Sequence, residues 1–328
     1  MDQFSAHLDR GWDLVQKGDP RAAEQSARRA LEIDSQSPEA YNLLGYIAAL
    51  EGEYEEALEN YRQAIALDDT FLEAMLNAAE LCIHPLGDLE QALSLCEDAI
   101  ELAENDEELV DALLLQFDAL LGLGREEEAR QVCERFPTTT FENPTHTFLV
   151  GRAHYEMGDL ERAEKLLREA ARRDPENADA QYYLGLIHDE RGEVRSAVQA
   201  FLKSRELDLR VPPPTWSLTR DAFAMSAHRA VERLTPRLRA FIRNDEIYVA
   251  DVPGAEAVVD GIDPRTLVLV DALDGSTGRL FVYQRNVERL AGSLDRIEDE
   301  IRSALEREIA AAMLELEAAA PPKQSPLN

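Results

Sequence analysis

The first two-thirds of this chain repeats one pattern of small, apolar and acidic positions, and the last third abandons it. Gly11 and Gly45 stand 34 residues apart, as do Gly151 and Gly185. A second glycine recurs at Gly18, Gly52, Gly87, Gly124, Gly158 and Gly192, each just before an acidic helix start such as GDLERA or GEYEEA. A small residue follows at Ala23, Ala57, Ala92, Ala129, Ala163 and Ala197. The period is 34, with a one-residue slip near His84-Pro85 and a longer gap around the fourth unit. Two helices per unit are predicted. The first glycine and the later alanines let them approach, and the bulkier Tyr61 and Phe201 fill the space between. One such unit cannot bury its apolar face alone, so stacked units share a continuous core. Six units are expected over residues 4–209, the fourth degenerate.

Val211-Pro212-Pro213-Pro214 closes this run, because consecutive prolines cannot continue a helix. An amphipathic stretch from Leu218 to Leu234 then predicts a helix, and LTPRLRAFI a short second one. Three β-branched or aromatic runs separated by turn signals predict strands at 246–250, 266–270 and 279–283. Ile297, Ile301, Leu305, Ile309 and Met313, at four-residue spacing, predict a final helix over 294–318. The expected fold is therefore mainly α: a helical array over 1–209, a proline-rich linker over 210–219, a small α+β domain over 220–318 and a disordered tail over 319–328.

A 34-residue helix-turn-helix unit with small residues at these positions is the signature of the tetratricopeptide repeat. YNLLGYIAALEGEYEEALENYRQAIALD, in the second unit, carries it well, as do the fifth and sixth units. The resemblance implies a solenoid in which the first helix of each repeat lines a concave groove. In that register the groove residues are Leu8, Trp12, Asn42, Tyr46, Leu76, Leu114, Phe148, Arg152, Tyr182 and Leu186. An apolar and aromatic groove suits an apolar or helical segment of another protein. Chaperone-docking members of the family grip a C-terminal carboxylate with Lys and Asn. Here Lys17, Lys165, Lys203 and Lys323 are the only lysines and Asn42 alone is of the right type, which argues against such a clamp. The same register places Cys82, Cys96 and Cys133 at core positions. It also places His154 and His188 at equivalent slots of stacked repeats, about 8–10 Å apart and too far to share a metal.

The last third resembles the minimal zincin-like metallopeptidases of bacteria. The segments that carry the likeness are AVERLTPRLRAFIRNDEIYVADVP, DGIDPRTLVLVDAL and the run from Arg279, whose Arg285-Asn286-Val287-Glu288-Arg289 is the sharpest part. The family's last helix carries HExxHH, whose histidines at i and i+4 reach one zinc while the glutamate activates the bound water. Here Arg307 stands at the first ligand position, Glu308 is kept, and Ala311 and Ala312 replace the following histidines. The expected site is degenerate, with no catalytic residue, metal or cofactor. DALDGSTG (271–278) resembles the metal loop of sugar- and inositol-phosphatases, but that fold needs over twice the residues available, and the stretch also reads as turn chemistry.

Composition narrows the partner. A net charge of -31 repels phosphate backbones and anionic headgroups, so nucleic acid and membrane are poor partners and a basic protein segment a good one. Three cysteines with no CxxC pair predict reduced thiols. The opening MDQFSAHLDR has neither the basic start nor the apolar run of a secretory signal, so a cytoplasmic protein is expected. The excess of arginine over lysine points to a GC-rich bacterial genome. The function expected is a non-catalytic scaffold that binds a protein segment through a basic or apolar stretch. The alternatives are a hydrolase with a non-standard site, or a structural subunit of a larger assembly.

Overall fold

The computed structural model describes residues 2–271 and 278–319, without the side chains of 243–245 and 312–319. Its packing divides into two units, residues 1–175 and 176–328.

The first unit holds five helix pairs: α1 (Gln3–Gln16) with α2 (Pro20–Ile33), α3 (Pro38–Glu51) with α4 (Tyr54–Leu67), α5 (Leu72–Ile83) with α6 (Leu89–Leu102), α7 (Asp106–Gly122) with α8 (Glu126–Cys133), and α9 (Pro144–Glu156) with α10 (Leu160–Arg173). Local chemistry sets the boundaries. Asp2, Asp19, Ser37, Asp88, Asn105, Asn143 and Asp159 each accept a backbone N–H of the first turn that follows, and proline opens α2, α3 and α9. Gly52 ends α3 at φ +81°, a left-handed conformation that any side chain would strain. Within a pair the small residues do what their spacing predicts. A Cβ on Gly45 would lie 2.6 Å from the ring of Tyr61, which is 2% exposed. The slip after α5 coincides with a cis His84-Pro85 peptide. The degenerate fourth repeat is a long α7 paired with an α8 of only 8 residues.

The second unit opens with the sixth helix pair, α11 (Ala178–Glu190) and α12 (Val194–Arg210). It continues through α13 (Arg220–Glu232), α14 (Pro236–Arg239), β1 (Ile242–Ala250), α15 (Ala255–Val259), β2 (Val268–Asp271), β3 (Gly278–Tyr283), α16 (Gln284–Ala291) and α17 (Ile297–Ala319). The sheet has the order β1-β3-β2, with β1 parallel and β2 antiparallel to β3. Leu280 and Val282 point into a core with Phe223, Ala227, Val287 and one face of α17. The predicted four-residue spacing buries Ile297, Ile301, Leu305 and Ile309 to 1% exposure or less. Each such side chain contributes roughly 1.5–3 kcal/mol. The side chain of Met313, residues 272–277 and residues 320–328 of the expected tail lie outside the described residues.

The division between the units differs from the expected one. It falls after Pro175 and not at the proline run: α12 packs on α15, and the end of the expected linker bonds to α16. Ser217 Oγ and the Leu218 N–H both donate to the buried Glu288 carboxylate.

Candidate partner-binding groove

In the first unit α1, α3, α5, α7 and α9 contact one another in that order, so the first helices of the repeats form a continuous wall. A polar ladder runs through it. Asn77 Nδ2 donates to Asn42 Oδ1 over 3.1 Å, His146 Nε2 lies 2.9 Å from Asp111 Oδ1, and Arg152 Nη2 donates to Asp118 Oδ1 over 3.0 Å. Each pair spans 34 or 35 residues, one repeat. Burial raises the Asp111 carboxyl above its ordinary pKa, against the pull of His146. Asn77, Asp111, Asp118 and His146 are not among the groove residues expected from the sequence. The signal was present, since complementary polar residues recur at the repeat period.

The ladder and the core absorb some of the expected groove residues. Asn42 is 1% exposed, Leu114 6% and Phe148 8%, so these three offer little surface to a partner. Arg152 is engaged by Asp118 and Glu156. Leu8 and Trp12 are half-buried against the cluster around Leu43, and Leu76 against Met75. Trp12 and Tyr46 meet with ring centroids 5.3 Å apart. Tyr46 also lines a cavity of about 480 Å³ with Leu50, Tyr54, Tyr61 and Glu80. Leu50, 57% exposed, stands at its edge. Of the expected residues in this unit, Trp12 and Tyr46 are those the structure brings together beside an open space.

In the second unit the chain itself covers the equivalent position. The Tyr182 hydroxyl donates to Asp263 Oδ2 over 2.7 Å, and the Arg265 guanidinium lies 4.4 Å above the Tyr182 ring. Burial, and then the Asp263 charge, raise the Tyr182 pKa. Arg265 also pairs with Asp179 and, through two bonds of 3.1 Å, with Asp208. Leu186, on the same helix as Tyr182, is half-buried. A repeat register cannot reveal such a cover, because Asp263 and Arg265 lie 81 residues and more beyond the position they meet.

The Arg285–Arg289 motif forms part of the same contact. Arg285 Nη1 donates to the carbonyls of Asp208, Leu209 and Val211, capping the C-terminal end of α12. Asn286 Nδ2 holds the carbonyls of Pro264 and Thr266, Val287 is core, Glu288 gathers Ser217, Leu218 and Gln284, and Arg289 pairs with Asp208. These are joining roles. On α17, Arg307 and Ala311 are exposed and Glu308 is half-buried. Among the described residues no group of three His, Cys, Asp or Glu side chains could hold a metal ion. Asp271 pairs with Arg279, and Asp274, the second aspartate of the phosphatase-like loop, lies outside the described residues.

The thiols are poor nucleophiles. Burial pushes Cys82 up to about 11 and Cys96 and Cys133 up to about 12. All three are free and buried. His154 and His188 are packed too, each beside the acidic residue five positions on, and burial lowers the His154 pKa. Among the described residues no helix is long and apolar enough to cross a membrane.

Comparison with known proteins agrees with this architecture. The family model described as "Tetratricopeptide repeat" matches residues 8–70, 51–108 and 149–208, so it passes over the degenerate fourth repeat. Superkiller complex protein 3 of Mus musculus is 25% identical over 305 residues, which cover 88% of this chain and 19% of that protein. The TPR repeat-containing protein YpiA of Bacillus subtilis (strain 168) is 24% identical over 60% of this chain and 46% of its own length. The chain thus spans less than half of either relative. Among solved structures, PilF of Pseudomonas aeruginosa superposes with a TM-score of 0.55 at 19% identity, over 64% of this chain and 93% of its own. The type IV pilus biogenesis factor PilW superposes with a TM-score of 0.54 at 16% identity, over 63% of this chain and 94% of its own.

Proposed function

Starting from a chain that carries tetratricopeptide repeats, we propose that it is a non-catalytic scaffold and that the wall of its first unit holds a segment of a partner protein. The observation that carries this reading is the half-buried Trp12–Tyr46 pair beside a cavity of about 480 Å³ with Leu50 exposed at its edge. Aromatic groups next to an exposed leucine are a place where a side chain of a partner can anchor. The residues proposed to touch the partner are Trp12, Tyr46 and their neighbour Leu8. Leu76 lies on the neighbouring helix α5, and Leu186 on α11 of the second unit. Tyr182, covered by Asp263 and Arg265, belongs to the chain's internal joint. A net charge of -31 disfavours nucleic acid and anionic lipid as ligands. The free, buried thiols suit a reducing cytoplasm.

The C-terminal unit fits the reading as a peptidase-like domain without its zinc motif. Arg307 and Ala311 stand on an exposed face of α17, and neither side chain can donate an electron pair to zinc. Its role here is to close the sixth repeat through Arg265 and Arg285. Affinity capture from the native organism tests the scaffold reading, comparing wild type with Trp12→Ala/Tyr46→Ala and with Tyr182→Ala. A stoichiometric protein lost with the first variant and kept with the second supports it. A partner held equally by all three overturns it. Zinc added to the purified chain, followed by gel filtration and metal analysis, tests the domain: one retained zinc per chain, or hydrolysis abolished by Glu308→Gln, would revive the hydrolase alternative.

A further inference from the structure

Negative charge is spread unevenly along the chain. Between Arg29 and Arg125 there are 23 Asp and Glu and one cationic side chain, Arg62. That stretch covers α3 to α7, and Arg62 donates to Gln91 on α6. The Tyr46 cavity lies inside it. Its walls include three tyrosines, Tyr46, Tyr54 and Tyr61, with the exposed carboxylate of Glu80 and the amide of Asn77 at its side. The lining holds one carboxylate, Glu80, and one imidazole, His84, but no lysine or arginine. Besides burial, Tyr46 and the carboxylates of Glu80 and Glu73 raise the Tyr61 pKa.

We propose that this cavity takes an arginine or lysine side chain from a basic segment of the partner protein. Tyrosine faces attract a cation through their quadrupole, and a carboxylate at the edge completes the neutralisation. The surrounding acidic repeats steer a basic segment toward the wall and repel acidic ones. A positively charged occupant accounts for both the aromatic lining and the scarcity of cations from α3 to α7. A wholly apolar occupant would leave Glu80 desolvated and unpaired, which costs free energy. The proposal rests on the scaffold reading and adds the chemistry of the partner's anchoring residue.

The test is a fluorescence-anisotropy titration of the full chain with labelled nona-arginine, with nona-glutamate as the counter-probe. Glu80→Gln and Tyr46→Leu are compared with Glu127→Gln, an equal charge change at a side chain 81% exposed and away from the cavity. The expected result is saturable binding of nona-arginine, weakened roughly threefold to thirtyfold by either cavity variant. Glu127→Gln should change it less than about twofold. No binding of nona-arginine at low salt, or equal weakening by Glu80→Gln and Glu127→Gln, overturns the proposal. Glu80→Gln keeps the side chain's shape at an exposed position, so its folding is not at risk. The two readings fail separately: a native partner lost with Trp12→Ala/Tyr46→Ala but indifferent to Glu80→Gln leaves the scaffold standing and removes the cation pocket.

Discussion

Arg265→Met tests the joint that closes the sixth repeat. The guanidinium is 12% exposed and bonds both oxygens of Asp208, itself 14% exposed. Removing one partner of a buried ion pair costs about 3–5 kcal/mol, because the other charge stays buried. Two features shift this figure. Arg289 remains 3.2 Å from Asp208 and offsets part of the loss. The Asp179 contact adds little, since that side chain is 56% exposed. Loss of the stack on Tyr182 costs about 0.5–2 kcal/mol more. The net expectation is roughly 3 kcal/mol, confined to the second unit. The chain's two tryptophans make this readable, because Trp12 lies in the first unit and Trp216 in the second. In a Trp12→Phe background, urea unfolding followed at Trp216 should shift its midpoint down by about 1.5 M if the m-value is about 2 kcal/mol/M. Arg233→Met, at a cation 55% exposed whose acidic partners lie at 3.5 and 3.6 Å, should shift it by less than about 0.4 M. Equal shifts for the two variants would refute the claim that Arg265 holds the joint.

Three further outcomes follow from the packing. Gly45→Ala drives a Cβ into the ring of Tyr61 and toward the Ala57 carbonyl, so thermal unfolding of the first unit should show a loss of about 1–3 kcal/mol. Asn286→Ala leaves the Pro264 and Thr266 carbonyls without their shared donor, and hydrogen exchange should quicken around β2 before it does in α13. His154 has a pKa below its unfolded value, so the unfolded chain binds its proton first. Its contribution is present above about pH 6.5 and is lost as pH falls through the lower folded pKa, so the melting temperature of wild type should drop more steeply below that pH than that of His154→Phe.

Much of the array was legible because a repeat states its packing rules several times over. Gly45 facing Tyr61, the turn at Gly52 and the irregular fourth pair all follow from spacing. The final helix was equally readable, since Ile297 to Ile309 mark one face. What sequence did not show was the sixth repeat's allegiance. The proline run at 212–214 looked like a boundary, yet Ser217, Glu288 and Arg285 bind the segments on either side of it into one unit. Those contacts join residues about 70 to 80 positions apart, with no period to announce them. The groove was readable only in part for a related reason. Register places Asn42, Leu114 and Tyr182 on the wall, but whether a wall position is open depends on what lies across it. For Asn42 that is Asn77, and for Tyr182 it is Asp263.

The most direct test of the scaffold account is photo-crosslinking in the native organism from a benzophenone amino acid placed at Leu50, beside the cavity, and at Val194, which is 65% exposed on the second unit. The account predicts one dominant adduct from position 50, mapping to a basic stretch of a single protein and abolished by Trp12→Ala/Tyr46→Ala. Adducts from position 50 that match those from position 194, or that survive loss of both aromatic rings, would contradict it.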